Sequence, residues 1–171
     1  MDSQRIQAIA LENLLVDLFN PRHVPQSSQR ETIATIALEQ GVKLANLAED
    51  IADKGLNPSE LPLVVETENK GVYTVVEGNR RVAALKLATS PQLLASIGLP
   101  KNLAERFKSL QSNINASFPQ QVNCAVLSRE DANHWILLKH TGENEGIGVV
   151  GWDGRARQRF RGYHLHYKQS N

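Results

Sequence analysis

The stretch that most constrains this chain is VYTVVEGNRRVAALKLAT, Val72 to Thr89. It opens on a run of β-branched and aromatic residues, the composition of a strand. It closes on Val82, Ala83, Leu85 and Leu87, the apolar positions of a helix expected from Asn79 to Ala88. The strand run stops at Glu77 and Gly78. Gly78 lets the backbone turn tightly and approach a ligand closely.

The rest of the chain supplies partners for this strand and helix. Ile6 to Leu11 alternates as a short strand does, and FNPRHVPQSSQ is a proline-broken loop. Ser27 or Ser28 caps a helix from about Gln29 to Gln40, with Ile33, Ile36 and Ala37 at helical spacing, and Gly41 ends it. A second helix carries Leu44, Leu47, Ala48 and Ile51 and stops at Gly55. Leu63 to Thr67 and Val72 to Glu77 read as a hairpin around Asn69, Lys70 and Gly71.

Further on, Ser90 and Pro91 restart a helix, and PKNLAERFKSLQSNI forms another. QVNCAVL reads as a buried strand. Ser128 and Asp131 make a variant capping box for a helix that turns Ala132, Trp135, Ile136 and Leu138 inward. HTGENEGIGVVGWDG is a glycine-punctuated loop, and RARQRFRGYH a basic helix or tail. The expected fold is α+β, a small mixed sheet with surrounding helices, in one domain spanning 1–171. No long βαβαβ series occurs, which argues against a doubly wound nucleotide fold.

Composition removes several classes. A net charge of +1 leaves nucleic-acid contact to a local patch. One cysteine, Cys124, excludes a disulfide framework within the chain and argues against thiolate zinc. No apolar stretch nears the ~20 residues that span a bilayer, and the N-terminus lacks the order of a signal peptide. A cytoplasmic, reducing setting is expected.

The chemistry of EGNRR has two readings. In one, Gly78 is a turn glycine and the arginines are a solvated helix start. In the other, the open amides of the first helical turn and its dipole hold an anion, and Arg80 and Arg81 add planar donors suited to phosphate. Two cations at a helix N-terminus are unfavourable without an anion. Glu77 would hold one arginine in place or help hold a cation. No GxxxxGK[ST] sequence occurs, so a P-loop is excluded.

VYTVVEGNRRVAALKL resembles the signature box of the ParB/sulfiredoxin superfamily, a strand followed by Gly-Glu-Arg-Arg and an apolar helix. NPR at Asn20 to Arg22, LANLAEDIADKGLNPSELPLVVE, and ENEG at Glu143 to Gly146 resemble other boxes of that superfamily, in the same order. SPQLLASIGLPKNLAERFKSLQSNINASF looks like a helical insertion at about 90–118, and a basic helix or tail follows at about 152–171.

The resemblance implies a nucleoside-triphosphate site, for CTP or ATP with Mg²⁺, in a DNA-associated prokaryotic protein. It implies that Gly78, Asn79, Arg80 and Arg81 hold the triphosphate, with Arg22 reaching the phosphates. Gly55 and the Leu56 to Ser59 loop would lie near the base or phosphates. Glu143 and Asn144 would hold phosphate or the metal, and Glu77 and Glu143 are the catalytic candidates for slow hydrolysis. DNA and a second copy of the chain, as a homodimer, are the implied partners. Two departures favour binding over turnover. Asn79 replaces the usual Glu, and Ile147 stands where the third box carries Arg. Cysteine-dependent sulfur chemistry is not expected, because residues 77 to 81 hold no cysteine.

Other groups carry weaker signals. Arg155, Arg157, Arg159 and Arg161 form either a solvated face or a DNA contact, with Phe160 and Tyr163 as stacking partners. His164 and His166 would share a face on a strand but lack a third metal ligand. Trp152 packs under a nucleotide or caps the core. The alternative activities are a Mg-dependent DNA nuclease, using Glu77, Glu143, Glu145 and Asp153, or an inert DNA or protein adaptor.

Overall fold

The hairpin read from the sequence forms at the centre of the sheet. Strand β3 (Leu63–Glu66) runs antiparallel to β4 (Tyr73–Glu77). Thr67 N–H donates to the Val72 carbonyl at 2.9 Å to close it. The structure is a computed structural model that describes residues 5–21, 24–113 and 116–169. In chain order the other elements are β1 (Arg5–Ala10), β2 (Leu14–Val16), α1 (Gln29–Gln40) and α2 (Val42–Lys54). After the hairpin come α3 (Asn79–Thr89), α4 (Pro91–Ser96), α5 (Lys101–Ser112), β5 (Gln121–Val126), α6 (Arg129–His140) and α7 (Gly154–Gln169).

The five strands lie in the order β1-β5-β3-β4-β2. β1 pairs antiparallel with β5, β5 parallel with β3, and β2 parallel with β4. The fold is therefore α+β with a mixed sheet. β2 is a strand that periodicity does not show, since three residues are too few to display a period of two. It is the edge strand beside β4. The Gln29 side-chain amide seals its outer edge, accepting from Val16 N–H and donating to the Val16 carbonyl, both at 2.8 Å. β5 alternates between buried and exposed positions, with Val122 and Cys124 inward and Gln121 and Asn123 outward, rather than being buried throughout.

Helix α3 lies at the centre of the helical layer, in contact with α1, α2, α4 and α5 and with β2 and β4. Its residues Val82, Ala83, Ala84, Leu85, Leu87 and Ala88 are all buried. A helix apolar on every side must be enclosed by others, and its alanines let those neighbours come close. Ser28 caps α1 by accepting from Glu31 N–H at 3.2 Å. Hydrogen bonds from Ser27 hold the Glu31 carboxyl below its ordinary pKa. The segment expected to be an insertion folds as α4 and α5, and Leu94, Leu103, Phe107 and Leu110 from these helices are buried in the same core.

The chain divides into two compact units, Met1–Ala132 and Asn133–Asn171. In the second, Trp135 is 43% exposed, so this position lies outside the core. The segment containing His164 and His166 is helical, which removes the strand geometry that would put them on one face. Among the described residues no helix is long and apolar enough to cross a membrane.

Candidate anion site at the start of helix α3

The strand β4 ends at Glu77, which is partly buried and in register with Leu63. Gly78 then adopts φ 97° and ψ 13°, a left-handed conformation that favours glycine. Space is tight there as well: an added Cβ would lie 3.2 Å from Pro62 Cβ and 3.3 Å from Pro62 Cα. The Pro62 carbonyl is fixed in turn by Ala125 N–H at 2.9 Å. The Gly78 carbonyl accepts from Arg81 N–H at 3.0 Å and Val82 N–H at 3.2 Å, which starts α3. The amides of Asn79 and Arg80 precede any carbonyl they could reach within the helix. They stand at its positive end.

The next three side chains have different tasks. Asn79 is 6% exposed, and its Oδ1 accepts from Asp17 N–H at 2.8 Å. Its Nδ2 is buried and makes no hydrogen bond. Asp17 follows β2 and is itself 9% exposed, with Oδ1 accepting from Phe19 N–H at 3.0 Å. Asn20 N–H donates to the Asp17 carbonyl at 3.3 Å. The Asn20-Pro21 segment is thereby bound to the start of α3. Arg22, the third residue of that element, lies outside the described residues.

Arg80 is partly buried, and its Nε makes no hydrogen bond. Arg81 is engaged by Glu60. It donates through Nη1 to the Glu60 main-chain carbonyl, and its Nη2 lies 3.5 Å from the Glu60 carboxylate. Glu60 is delivered by the loop that leaves α2. Gly55 ends that helix at φ 80°, donating its N–H to the Ile51 carbonyl at 2.8 Å. Asn57 Oδ1 then accepts from Ser59 N–H at 3.0 Å and from its hydroxyl at 2.8 Å. The structure thus brings Gly55, Glu77, Gly78, Asn79, Arg80 and Arg81 into the first unit. It adds three residues that sequence reasoning did not single out: Asp17, Glu60 and Pro62.

Cys124 is buried on β5. Burial pushes its thiol up to about 12, and the charge of Arg81 only partly opposes this. A thiol so disposed is a poor nucleophile at neutral pH.

Glu143 and Asn144 belong to the second unit, where ENEG winds into a single tight turn. Gly146 and Gly148 N–H groups both donate to the Glu143 carbonyl at 2.9 Å. Asn144 and Glu145 have φ of 43° and 55°, rare for residues with a side chain. Asn144 Nδ2 donates to Thr141 Oγ1 at 2.8 Å and the Gly142 carbonyl at 3.1 Å, and the Glu143 side chain is exposed. A carboxylate and an amide oxygen suit Mg²⁺ chemically, as a partial set to be completed by phosphate and water. Among the described residues no three His, Cys, Asp or Glu side chains gather as a metal group. Asp153 caps α7 by accepting from Ala156 N–H at 2.7 Å. Trp152 packs against Phe160, with ring centroids 5.1 Å apart and the ring planes inclined at 54°.

A family model described as the ParB N-terminal domain matches residues 1–114. No curated protein and no solved structure matches the chain. The matched span contains the whole strand-to-helix turn and every side chain placed around it except Cys124.

Proposed function

Because this chain belongs to the ParB N-terminal domain family, we propose that its first unit binds a nucleoside triphosphate, CTP or ATP, with the phosphates at the start of α3. The observation that carries this reading is the left-handed Gly78 turn leading to two open amides and to Arg80, whose Nε has no protein partner. Helix termini of this kind favour phosphate, and a guanidinium supplies a fixed charge and directional donors. Gly78 makes the turn, Arg80 binds the phosphate oxygens, and Asn79 fixes the turn from beneath. The family resemblance gives Glu143 and Asn144, in the second unit, as the residues that would hold Mg²⁺. Slow hydrolysis would need a group to orient water, and in the first unit Glu77 at the end of β4 is the candidate.

A second role is carried by α7. Arg155, Arg157, Arg159 and Arg161 are all exposed. On a helix they form two pairs four residues apart, Arg155 with Arg159 and Arg157 with Arg161. Such a helix offers several phosphate contacts to DNA, with the exposed Phe160 beside them. Calorimetric titration with CTP, ATP and GTP in Mg²⁺ tests the nucleotide reading. No heat of binding at millimolar ligand would remove it. A plasmid-nicking assay tests the nuclease alternative, with Glu143→Ala as the diagnostic variant.

A further inference from the structure

The Arg81 guanidinium turns back over the start of its own helix. Its Nη2 stands 3.4 Å from where a Cβ on Gly78 would be, so it lies beside the turn and not along the helix flank. There it meets Glu60, through the main-chain carbonyl at Nη1 and the carboxylate 3.5 Å from Nη2. A carboxylate is therefore paired with a guanidinium that stands beside the helix start, as an anion would be.

The two partners differ in freedom. The Arg81 side chain is 11% exposed and the Glu60 side chain 50%. Glu60 has water to move into, while Arg81 is held in place. The loop carrying Glu60 is short, stabilised by the Asn57–Ser59 hydrogen bonds and by Glu60 N–H donating to the Asn57 carbonyl at 3.2 Å. It belongs to no strand or helix. An ion pair with a half-exposed member holds weakly. A triphosphate brings several negative charges to the same guanidinium.

We infer that Glu60 is an internal stand-in for the ligand anion: its carboxylate holds Arg81 in the empty protein and gives way when phosphate arrives, releasing the strap of residues 56–61. This inference rests on the anion reading of the α3 start. It makes Arg81 a ligand group reached only after exchange, and Glu60 the residue that sets the threshold for binding.

The test compares wild type with Glu60→Gln by calorimetry, using CTP, ATP and GTP with Mg²⁺. Thermal melts establish that both are folded, and amide hydrogen exchange is followed at residues 59–61 of the wild type. Glu60→Gln should bind roughly threefold tighter, the scale of one weak ion pair removed. Saturating nucleotide should speed exchange at residues 59–61. Binding by Glu60→Gln alone, with a silent wild type, also supports the latch. If the wild type binds and Glu60→Gln binds equally or more weakly, the latch is overturned while the site stands. Unchanged or slower exchange in the liganded wild type overturns the latch as well. Binding by neither protein overturns both.

Discussion

Asn79 Oδ1 lies 2.8 Å from the Asp17 backbone nitrogen and joins the first residue of α3 to the end of β2 across 62 residues of sequence. Both residues are buried. This bond ties down the asparagine that stands where the family resemblance leads one to expect glutamate, while its Nδ2 is buried without a partner. The side chain faces into the protein and satisfies a backbone donor.

Asn79→Ala should therefore lower stability by about 1–3 kcal/mol, since it strands a buried N–H. Urea unfolding of the two proteins measures it. A change of only a few tenths of a kcal/mol would show that the bond does not hold the turn.

Gly78→Ala tests the turn itself. The left-handed φ of 97° and the contact with Pro62 both oppose a Cβ. The expected loss is about 1–3 kcal/mol, the scale of one strained backbone position. Nucleotide affinity should fall with it, because the amides of Asn79 and Arg80 move with the turn. Full affinity in a folded Gly78→Ala protein would place the ligand elsewhere.

Cys124 gives a pH prediction of fixed sign. Its folded-state thiol is raised from 9.0 to about 12, chiefly by burial. The stability linked to it is complete below pH 9 and is lost as pH rises from 9 towards 12, because the unfolded thiol ionises first. Thermal melts across that range should fall less steeply in Cys124→Ala than in wild type. Iodoacetamide at pH 8 should label the thiol slowly until denaturant is added, and rapid native labelling would contradict its burial.

The arginines of α7 predict a salt dependence. Replacing Arg155, Arg157, Arg159 and Arg161 with alanine should reduce the log–log salt slope of duplex binding by about 3–4, at ~0.9 per phosphate contact. Fluorescence anisotropy at several salt concentrations reads this directly. An unchanged slope would make α7 a solvated surface.

Much of this architecture is legible in the sequence because its local signals agree. The bounds expected for the α1 helix, Gln29 to Gln40, are those observed. The hairpin and the glycine that ends it were marked by turn chemistry and a change of period. What escaped has specific causes. β2 has only three residues and is held by pairing to β4 and by Gln29. Trp135 has helical spacing suited to a core, yet its face is exposed, because periodicity tells which residues align and not which face is covered.

The site was half legible for a related reason. The glycine and arginines announce themselves locally, through the conflict of cations with a helix N-terminus. Asp17, Glu60 and Pro62 reach the turn only through tertiary folding, at separations that no short motif spans. The family resemblance accordingly gives Asn79, Arg80 and Arg81 alike to the triphosphate. The structure distinguishes them: Asn79 is bound to Asp17, Arg81 to Glu60, and the Arg80 Nε has no protein partner.

That distinction makes Arg80 the sharpest test of the central claim. The decisive measurement is a calorimetric titration of wild type and Arg80→Ala with CTP, ATP and GTP in Mg²⁺, beside thermal melts of both. The account predicts that wild type binds at least one triphosphate. It predicts that Arg80→Ala loses about tenfold or more in affinity, the scale of one charge-assisted contact, with little change in melting temperature. Equal affinity in the two folded proteins, or no binding by wild type, would contradict it.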